Sequence, residues 1–341
     1  MATRLPAEWE PQSFVQYTFP HQKGDWKDTY EDVVPCFVEI IETTAKFQQV
    51  LVVCEDLHQT KSYFSTTENL SFFEIDSNDT WARDHGGITV EKDGKLHILD
   101  FEFNGWGKKF AADLDNQITS QLISKGVFSG VSSETIDFVL EGGAIESDGE
   151  GTLLTTSACL LTDTRNPQFG RQQIEEELNS FFGLERVLWL DHGYLAGDDT
   201  DSHVDTLARL CNPTTIAYVQ CNDPKDEHFE ELQAMEAQLK TFKTKDGQPY
   251  KLVALPMADA CYDEEGDRMP ATYANFLICN GAVLVPIYNV PQDQEALEIL
   301  KEVFPDREVI GINCLPLIQQ HGSLHCITMQ YPEGVTLNAQ K

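Results

Sequence analysis

Four short polar segments of this sequence carry side chains capable of covalent or acid–base chemistry. Asp84 lies in Trp81-Ala82-Arg83-Asp84-His85-Gly86-Gly87 and Glu141 in Glu141-Gly142-Gly143. His203 and Asp205 lie in Asp201-Ser202-His203-Val204-Asp205, and Cys326 in Gly322-Ser323-Leu324-His325-Cys326. Singly, each has a bland role: a buried small hydrophobe for Cys326, a turn residue for Glu141, a partner of Arg83 for Asp84, a satisfied core histidine for His203. Together, with no Arg or Lys partner beyond Arg83, they describe a cation site. A guanidinium is planar and presents a fixed fork of donors, which carboxylates bind bidentately. Two carboxylates would hold its central carbon and localise its charge, and a thiolate could then attack that carbon. A histidine could protonate the departing ammonia and deprotonate the incoming water, leaving a urea group. Cys326, His203, Asp84, Asp205 and Glu141 are therefore the candidate catalytic set. The two-residue spacing of His203 and Asp205 would place both on one face of a strand.

Other chemistries use some of the same residues. Cysteine proteases and amidases also combine Cys, His and Asp, but they stabilise an oxyanion, which a site crowded with carboxylates suits poorly. The run Gly197-Asp198-Asp199-Thr200-Asp201 is acidic but lacks the spacing and terminal glutamate of a calcium loop. Nine cysteines without a CxxC pair argue against structural zinc and for reduced thiols. No metal and no other cofactor is expected. A catalytically inactive binding protein would usually have lost Cys326, His203 or Asp84, and all three are present.

The elements that must position these residues repeat along the chain. Helical periodicity covers 28–47 and recurs through Leu114/Ile118/Leu122, Ile174/Leu178/Phe181, Leu232/Met235/Leu239 and Leu297/Leu300/Phe304. Each helix is followed by a short apolar run: 50–54, 136–140, 186–190, 251–255 and 308–312. Four helices are preceded by two strand-like runs, for example 276–279 and 283–288 around the turn pair Asn280-Gly281. The first helix has one strand ahead of it, 14–19, and the chain ends with an unpartnered one, 326–331. Those two complete the set if the ends meet. The expected fold is α/β, a five-bladed pseudo-symmetric propeller of strand–strand–helix–strand repeats, in one domain over 1–341. Equivalent positions in such a ring face one axis, so the polar segments would converge. An ordinary open sheet with five crossovers is the alternative, and it leaves the last strand unexplained.

Composition sets outer bounds. The chain has 341 residues, and 24 basic against 56 acidic ones give a net charge of −32. Such a surface repels nucleic acid and anionic lipid and enriches small cations. The longest apolar runs have strand length, and the first eleven residues have no apolar core, so neither a membrane span nor a secretory signal is expected. A cytoplasmic protein acting on a small cationic guanidine is the expectation, and self-association is compatible with it.

The motifs Asn78-Asp79-Thr80-Trp81-Ala82-Arg83-Asp84-His85-Gly86, Glu141-Gly142-Gly143, Thr200-Asp201-Ser202-His203-Val204-Asp205 and His325-Cys326-Ile327-Thr328, in this order, resemble the agmatine deiminase family, also called the bacterial-type peptidyl-arginine deiminase family. The resemblance runs from Leu5 to Pro332. It implies a guanidino-group-modifying fold of five α/β blades. It also implies Cys326 as nucleophile, His203 as acid and base, Asp84 and Asp205 as guanidinium clamps, and Glu141 as a further contact. Trp81 falls where the family places an aromatic near the substrate, with core packing as its alternative role. Asn275 takes the equivalent position in the remaining repeat and would shape the pocket. His321-Gly322-Ser323-Leu324 and Gly86-Gly87 depart from the family's usual glycine-richer and Gly-Pro forms, which bears on the substrate rather than on the chemistry. Few basic residues near the motifs favour agmatine over free arginine, with peptidyl-arginine the rival. The product would be N-carbamoylputrescine, a step in polyamine synthesis. Asp198 and Asp201, or the loop Asp263-Glu264-Glu265, would then meet the distal ammonium.

Overall fold

The computed structural model describes residues 3–338; residues 1–2 and 339–341 of the expected single domain lie outside the described residues. Its backbone is organised as one pattern used five times. Strand Ile88–Lys92 turns at Asp93-Gly94, both with positive φ, into antiparallel Lys95–Glu102. Helix Ile118–Ser124 then leads to Val131–Val139, which pairs parallel to the second strand. The same antiparallel pair, helix and parallel strand recur in Ile145–Ser147, Thr152–Thr156, Arg171–Phe182 and Arg186–Leu190. They recur in Ala208–Asn212, Thr215–Gln220, Phe229–Leu239 and Lys251–Pro256, and in Leu277–Cys279, Ala282–Ile287, Gln292–Val303 and Glu308–Asn313.

The fifth copy joins the two ends of the chain. Thr328–Pro332 pairs antiparallel with Gln12–Thr18, which pairs parallel with Gln49–Cys54 after helix Tyr30–Ala45. The N-terminal and C-terminal strands thus complete each other, as the unpartnered last run required. Strands not foreseen include Thr3–Arg4 on the edge of the first sheet, Leu70–Glu74 parallel beside Gln49–Cys54, and the two-residue pairs Phe128–Ser129 with Thr336–Leu337 and Cys261–Tyr262 with Arg268–Met269. The result is a mixed α/β fold of several small sheets, none closed on itself.

The continuous apolar character of Gln49–Cys54 has a direct cause. Val50, Val52 and Cys54 point into one hydrophobic cluster, while Leu51 and Val53 point into a second. A strand buried on both faces cannot alternate with polar residues. No helix among the described residues is long and apolar enough to cross a membrane.

One local expectation is corrected. The His203/Asp205 segment does not sit on a strand; like the other polar motifs it lies at a single helical turn just ahead of the first strand of its repeat. Asp84 lies in Ala82–His85, Glu141 precedes the 3₁₀ turn Gly142–Ala144, Asp205 lies in the 3₁₀ turn Val204–Thr206, and Cys326 in the 3₁₀ turn His325–Ile327. His203 and Asp205 therefore do not share a strand face, because the strand begins only at Ala208. Each of the five repeats still carries polar residues just ahead of its first strand: Asp84, Glu141, His203 with Asp205, Asn275 and Cys326.

Candidate active site

Cys326 is 5% exposed and sits on a turn tied to Asn275. The Asn275 Oδ1 accepts from the backbone N–H of His325 at 2.8 Å and of Cys326 at 3.3 Å, and from the Cys326 thiol at 3.4 Å. Its Nδ2 donates to the Asp205 carbonyl at 3.3 Å. Asn275 thereby joins the nucleophile's turn to the Asp205 turn. Burial, reinforced by the charges of Asp205 and Asp84, pushes the Cys326 thiol well above its ordinary range. The thiolate is what alkylating agents capture. In the free protein, iodoacetamide should modify the Cys326 peptide slowly at neutral pH, with a rate still rising above pH 9. A rate that levels off below pH 8, read by mass spectrometry of that peptide, would contradict this environment.

Asp84 is held in place from two sides. Its Oδ2 accepts from Trp106 Nε1 at 2.9 Å and its Oδ1 from the Gly143 N–H at 3.0 Å. Arg83 does not pair with it; that guanidinium donates to Gln330 Oε1 and Thr328 Oγ1. The preceding segment is locked by a reciprocal pair. Asn78 Oδ1 accepts from the N–H groups of Leu114 and Asp115, and Asp115 Oδ1 accepts from those of Asn78 and Asp79. Burial, opposed by His203 and reinforced by Asp205 and Glu141, pushes Asp84 up to about 6.

His203, Asp84 and Asp205 converge beside Gly143. A Cβ on Gly143 would stand 2.6 Å from His203 Nδ1, 2.9 Å from Asp84 Oδ1 and 3.3 Å from Asp205 Oδ2. Only glycine fits that position. His203 Nδ1 lies 3.6 Å from Asp84 Oδ1. Burial works against a charge on His203, but Asp84, Cys159 and Glu141 outweigh it and push the imidazole up to about 10. Among the described residues, neither ring nitrogen of His203 and not Asp205 Oδ1 has a hydrogen-bond partner. Asp205 Oδ2 is 2.7 Å from His325 Nδ1. Burial opposes its charge, yet His325, His203 and Arg209 hold Asp205 below the usual carboxylate range.

The expectation of a site without basic partners is corrected by Arg165. Its Nε donates to both Glu141 oxygens, at 2.8 and 3.0 Å, and both side chains are fully buried. One terminal nitrogen reaches Asp201 Oδ2 at 2.7 Å, and the other the Thr200 carbonyl at 2.9 Å. Asp201 is further engaged by Lys109 Nζ at 2.8 Å. Asp198 is spent on its own loop, accepting from Thr200 Oγ1 and the N–H groups of Thr200 and Ser202. Arg165 and Lys109 lie far in sequence from the motifs they serve, so nothing in the motifs pointed to them.

A cleft opens over Asp84 and Cys326. Trp81, Trp106 and Phe110 give it aromatic walls, and Asp25, Asp79 and Asp199 give it acidic ones. Trp81 is both wall and core: it packs on Trp26, and a Cβ on Gly322 would collide with its ring at 2.2 Å. The acidic loop before His203 does reach the cleft, but through Asp199 rather than Asp198 or Asp201. The Asp263–Glu265 segment lies on the tip between Cys261–Tyr262 and Arg268–Met269 and is not part of this cleft. Two sets of metal-type donors are close together among the described residues, Glu141/Cys159/His203 and Glu8/Glu146/His325. The Arg209 guanidinium already bonds to all three members of the second set. The first shares Glu141 with Arg165.

The profile of the Porphyromonas-type peptidyl-arginine deiminase family matches residues 4–332. The chain belongs to that family. A Porphyromonas gingivalis structure provisionally named an arginine deiminase is 53% identical, with 98% of this chain and 99% of that one aligned and a TM-score of 0.94. A cysteine-to-serine form of C. jejuni agmatine deiminase with substrate bound is 38% identical over 97% of both chains, with a TM-score of 0.92. A Vibrio parahaemolyticus protein provisionally named an agmatine deiminase is 33% identical over 96% of both chains.

Proposed function

We propose that this chain hydrolyses the guanidinium group of agmatine to N-carbamoylputrescine and ammonia through a covalent bond to Cys326. One observation carries the reading: Asp84 and the Cys326 thiol line an acidic, aromatic-walled cleft, and a second buried carboxylate, Asp205, and His203, whose nitrogens have no hydrogen-bond partner among the described residues, converge with Asp84 beside Gly143. That set demands a ligand that is cationic, planar and rich in donors.

In this reading the guanidinium lies between Asp84 and Asp205. Its charge offsets the field that keeps Cys326 protonated, so the thiol proton passes to solvent water, and finally to the released ammonia, as the cation arrives. The sulfur adds to the guanidinium carbon, and His203 gives a proton to one amino group, which leaves as ammonia. Neutral His203 then takes a proton from water, whose hydroxyl adds to the same carbon. The C–S bond breaks, the hydroxyl proton returns to the sulfur, and the ureido product leaves. An amidase would instead need N–H donors aimed at an oxyanion, where this site presents Asp84 and Asp205.

The aromatic walls suit a methylene chain, and Asp25 and Asp199 suit an ammonium at its far end. The carboxylate of free arginine would meet those acids. Arginine within a peptide has no such carboxylate, and the family's description keeps peptidyl-arginine as the second reading. We also propose that the five repeats stand as blades of a pseudo-five-fold propeller, since each carries a polar position just ahead of its first strand: Asp84, Glu141, His203/Asp205, Asn275 and Cys326. The cytoplasm is the proposed site of action, where a small polar cation would be available.

Ammonia and ureido product should be measured with agmatine, free arginine and an arginyl peptide. Agmatine should be turned over fastest. Asp199→Asn should narrow its advantage over free arginine by roughly 5-fold, the scale of a half-exposed charge pair. An unchanged ratio would remove Asp199 from recognition, and preference for the peptide would overturn agmatine as the substrate.

A further inference from the structure

The segment after strand Lys95–Glu102 runs through four consecutive residues of left-handed backbone: Gly105 at φ 70°, Trp106 at 53°, Gly107 at 85° and Lys108 at 69°. Glycine adopts this region freely, but a tryptophan or a lysine does so only where its surroundings hold it there. Asn104 holds the turn from one side: its Oδ1 accepts from the Gly107 N–H at 2.8 Å, and its Nδ2 donates to the Thr164 carbonyl at 3.0 Å. The packing is close. A Cβ on Gly105 would stand 2.3 Å from the Phe110 carbonyl oxygen, and one on Gly107 2.3 Å from Thr164 Oγ1. Just past the turn, Lys109 Nζ reaches the Asp199 carbonyl at 2.6 Å and Asp201 Oδ1 at 2.8 Å. The side chain that this turn aims is Trp106. It is buried, stands edge-on to Phe103 and Phe110 at ring separations of 5.0 and 5.6 Å, and points Nε1 at Asp84 Oδ2, 2.9 Å away.

We propose that Trp106 is a positioning residue for deimination, its indole N–H fixing the Asp84 carboxylate in the orientation that receives the guanidinium. The inference rests on the reading of Asp84 as a guanidinium clamp. Each Asp84 oxygen accepts one bond from a donor that does not titrate, Oδ2 from Trp106 and Oδ1 from the Gly143 N–H at 3.0 Å. A carboxylate oxygen can accept two, so each keeps room for one guanidinium N–H. His203 Nδ1, 3.6 Å from Oδ1, has no hydrogen-bond partner among the described residues. Asp84 is therefore oriented by groups whose protonation stays constant while His203 gives up and regains its proton. An uncommon backbone at a tryptophan is retained because it delivers this donor.

The same bond acts on the charge of Asp84. The titratable groups facing Asp84 are His203, Asp205, Glu141 and Cys326. Burial pushes Asp84 up to about 6; Asp205 and Glu141 reinforce this, while His203 and the Trp106 N–H oppose it. Burial also works against a charge on His203 and on Asp205, yet Asp84 helps hold the first at about 10 and His325 holds the second below the ordinary carboxylate range. The acid limb of kcat/KM therefore belongs to Asp84, whose ionised form binds the cation. A donor to the ionised form lowers proton affinity, so removing the indole N–H raises that of Asp84 and moves the limb to higher pH.

The test is the pH profile of agmatine kcat/KM for the wild-type protein and Trp106→Phe, with melting temperature measured in parallel. Phenylalanine keeps an aromatic ring in the cleft wall and removes the donor. The acid limb should move to higher pH by about one unit, the equivalent of one hydrogen bond to a charged group. The plateau above it should fall by roughly 10- to 100-fold as the carboxylate loses its fixed orientation. Asn104→Ala, which loosens the turn without touching Asp84, should move the same limb in the same direction by a smaller amount, and it decides the matter if Trp106→Phe does not fold. A lower melting temperature with an unmoved acid limb in folded Trp106→Phe, or in Asn104→Ala where the first does not fold, would overturn the proposal and leave Trp106 a wall of the cleft. Absence of guanidine turnover by the wild-type protein would instead defeat the deiminase reading itself.

Discussion

Cys326→Ser should abolish agmatine deimination, with kcat lowered by at least about 10⁴-fold, the order seen when a covalent nucleophile is removed. The exchange is conservative in space. The hydroxyl can donate to Asn275 Oδ1 as the thiol does, and the His325–Ile327 turn is held by backbone bonds to the same oxygen. Only the chemistry is lost, because a serine at this position has no adjacent base to ionise it: His203 already carries its proton in the field of Asp84 and Glu141. Binding should survive. Agmatine should still raise the melting temperature of the variant, since a ligand that binds only the folded state stabilises it by mass action. Residual turnover above about 1% of wild type would remove Cys326 from its role, and loss of thermal stabilisation would mean that the thiol also binds.

The contrast between what the sequence revealed and what it concealed has a physical basis. The repeat was legible because local signals carry it: Asp93-Gly94 and Asn280-Gly281 are short-range turn pairs, and the strand Gln49–Cys54 is apolar on both faces. The meeting of the ends was legible as well, since a strand without a partner must find one. Asp84, Glu141, His203, Asp205 and Cys326 stood out as polar residues at equivalent places in apolar surroundings.

The partners of those residues were hidden because ion pairs leave no local trace. Arg165 serves Glu141 and Asp201, Lys109 serves Asp201, and Glu8 serves His325, each across a long sequence separation. The single-turn helices ahead of the strands were missed for another reason. Segments of three or four residues have too few positions to show a period, and their conformation is set by tertiary bonds such as Gly143 to Asp84. The acidic run before His203 was read as one patch, yet its members have separate fates. Asp198 closes the loop, Asp201 is clamped between Arg165 and Lys109, and Asp199 is left facing the cleft.

Arg165→Ala should be the most damaging substitution outside the reacting groups. Arg165 and Glu141 are both fully buried, so removing the guanidinium leaves a buried carboxylate with no direct partner beside Asp84 and Asp205. Breaking a buried pair from one side costs about 3–5 kcal/mol, far more than an exposed pair is worth. The same change leaves Asp201 to Lys109 alone and frees the Thr200 carbonyl, loosening the loop that carries His203. The destabilisation should depend on pH in a defined direction. An orphaned Glu141 lowers its cost by taking up a proton, so its folded-state affinity for that proton rises above the unfolded value. Such a group contributes stability at low pH that is lost as pH rises. The stability deficit of Arg165→Ala, measured by urea unfolding, should therefore be larger at pH 8 than at pH 5. Adding Glu141→Gln should recover part of it, because the second change removes the unpaired charge. A deficit below about 1 kcal/mol that is the same at both pH values would mean that water reaches Glu141 in the variant, and that the pair orients the loop without sustaining the fold.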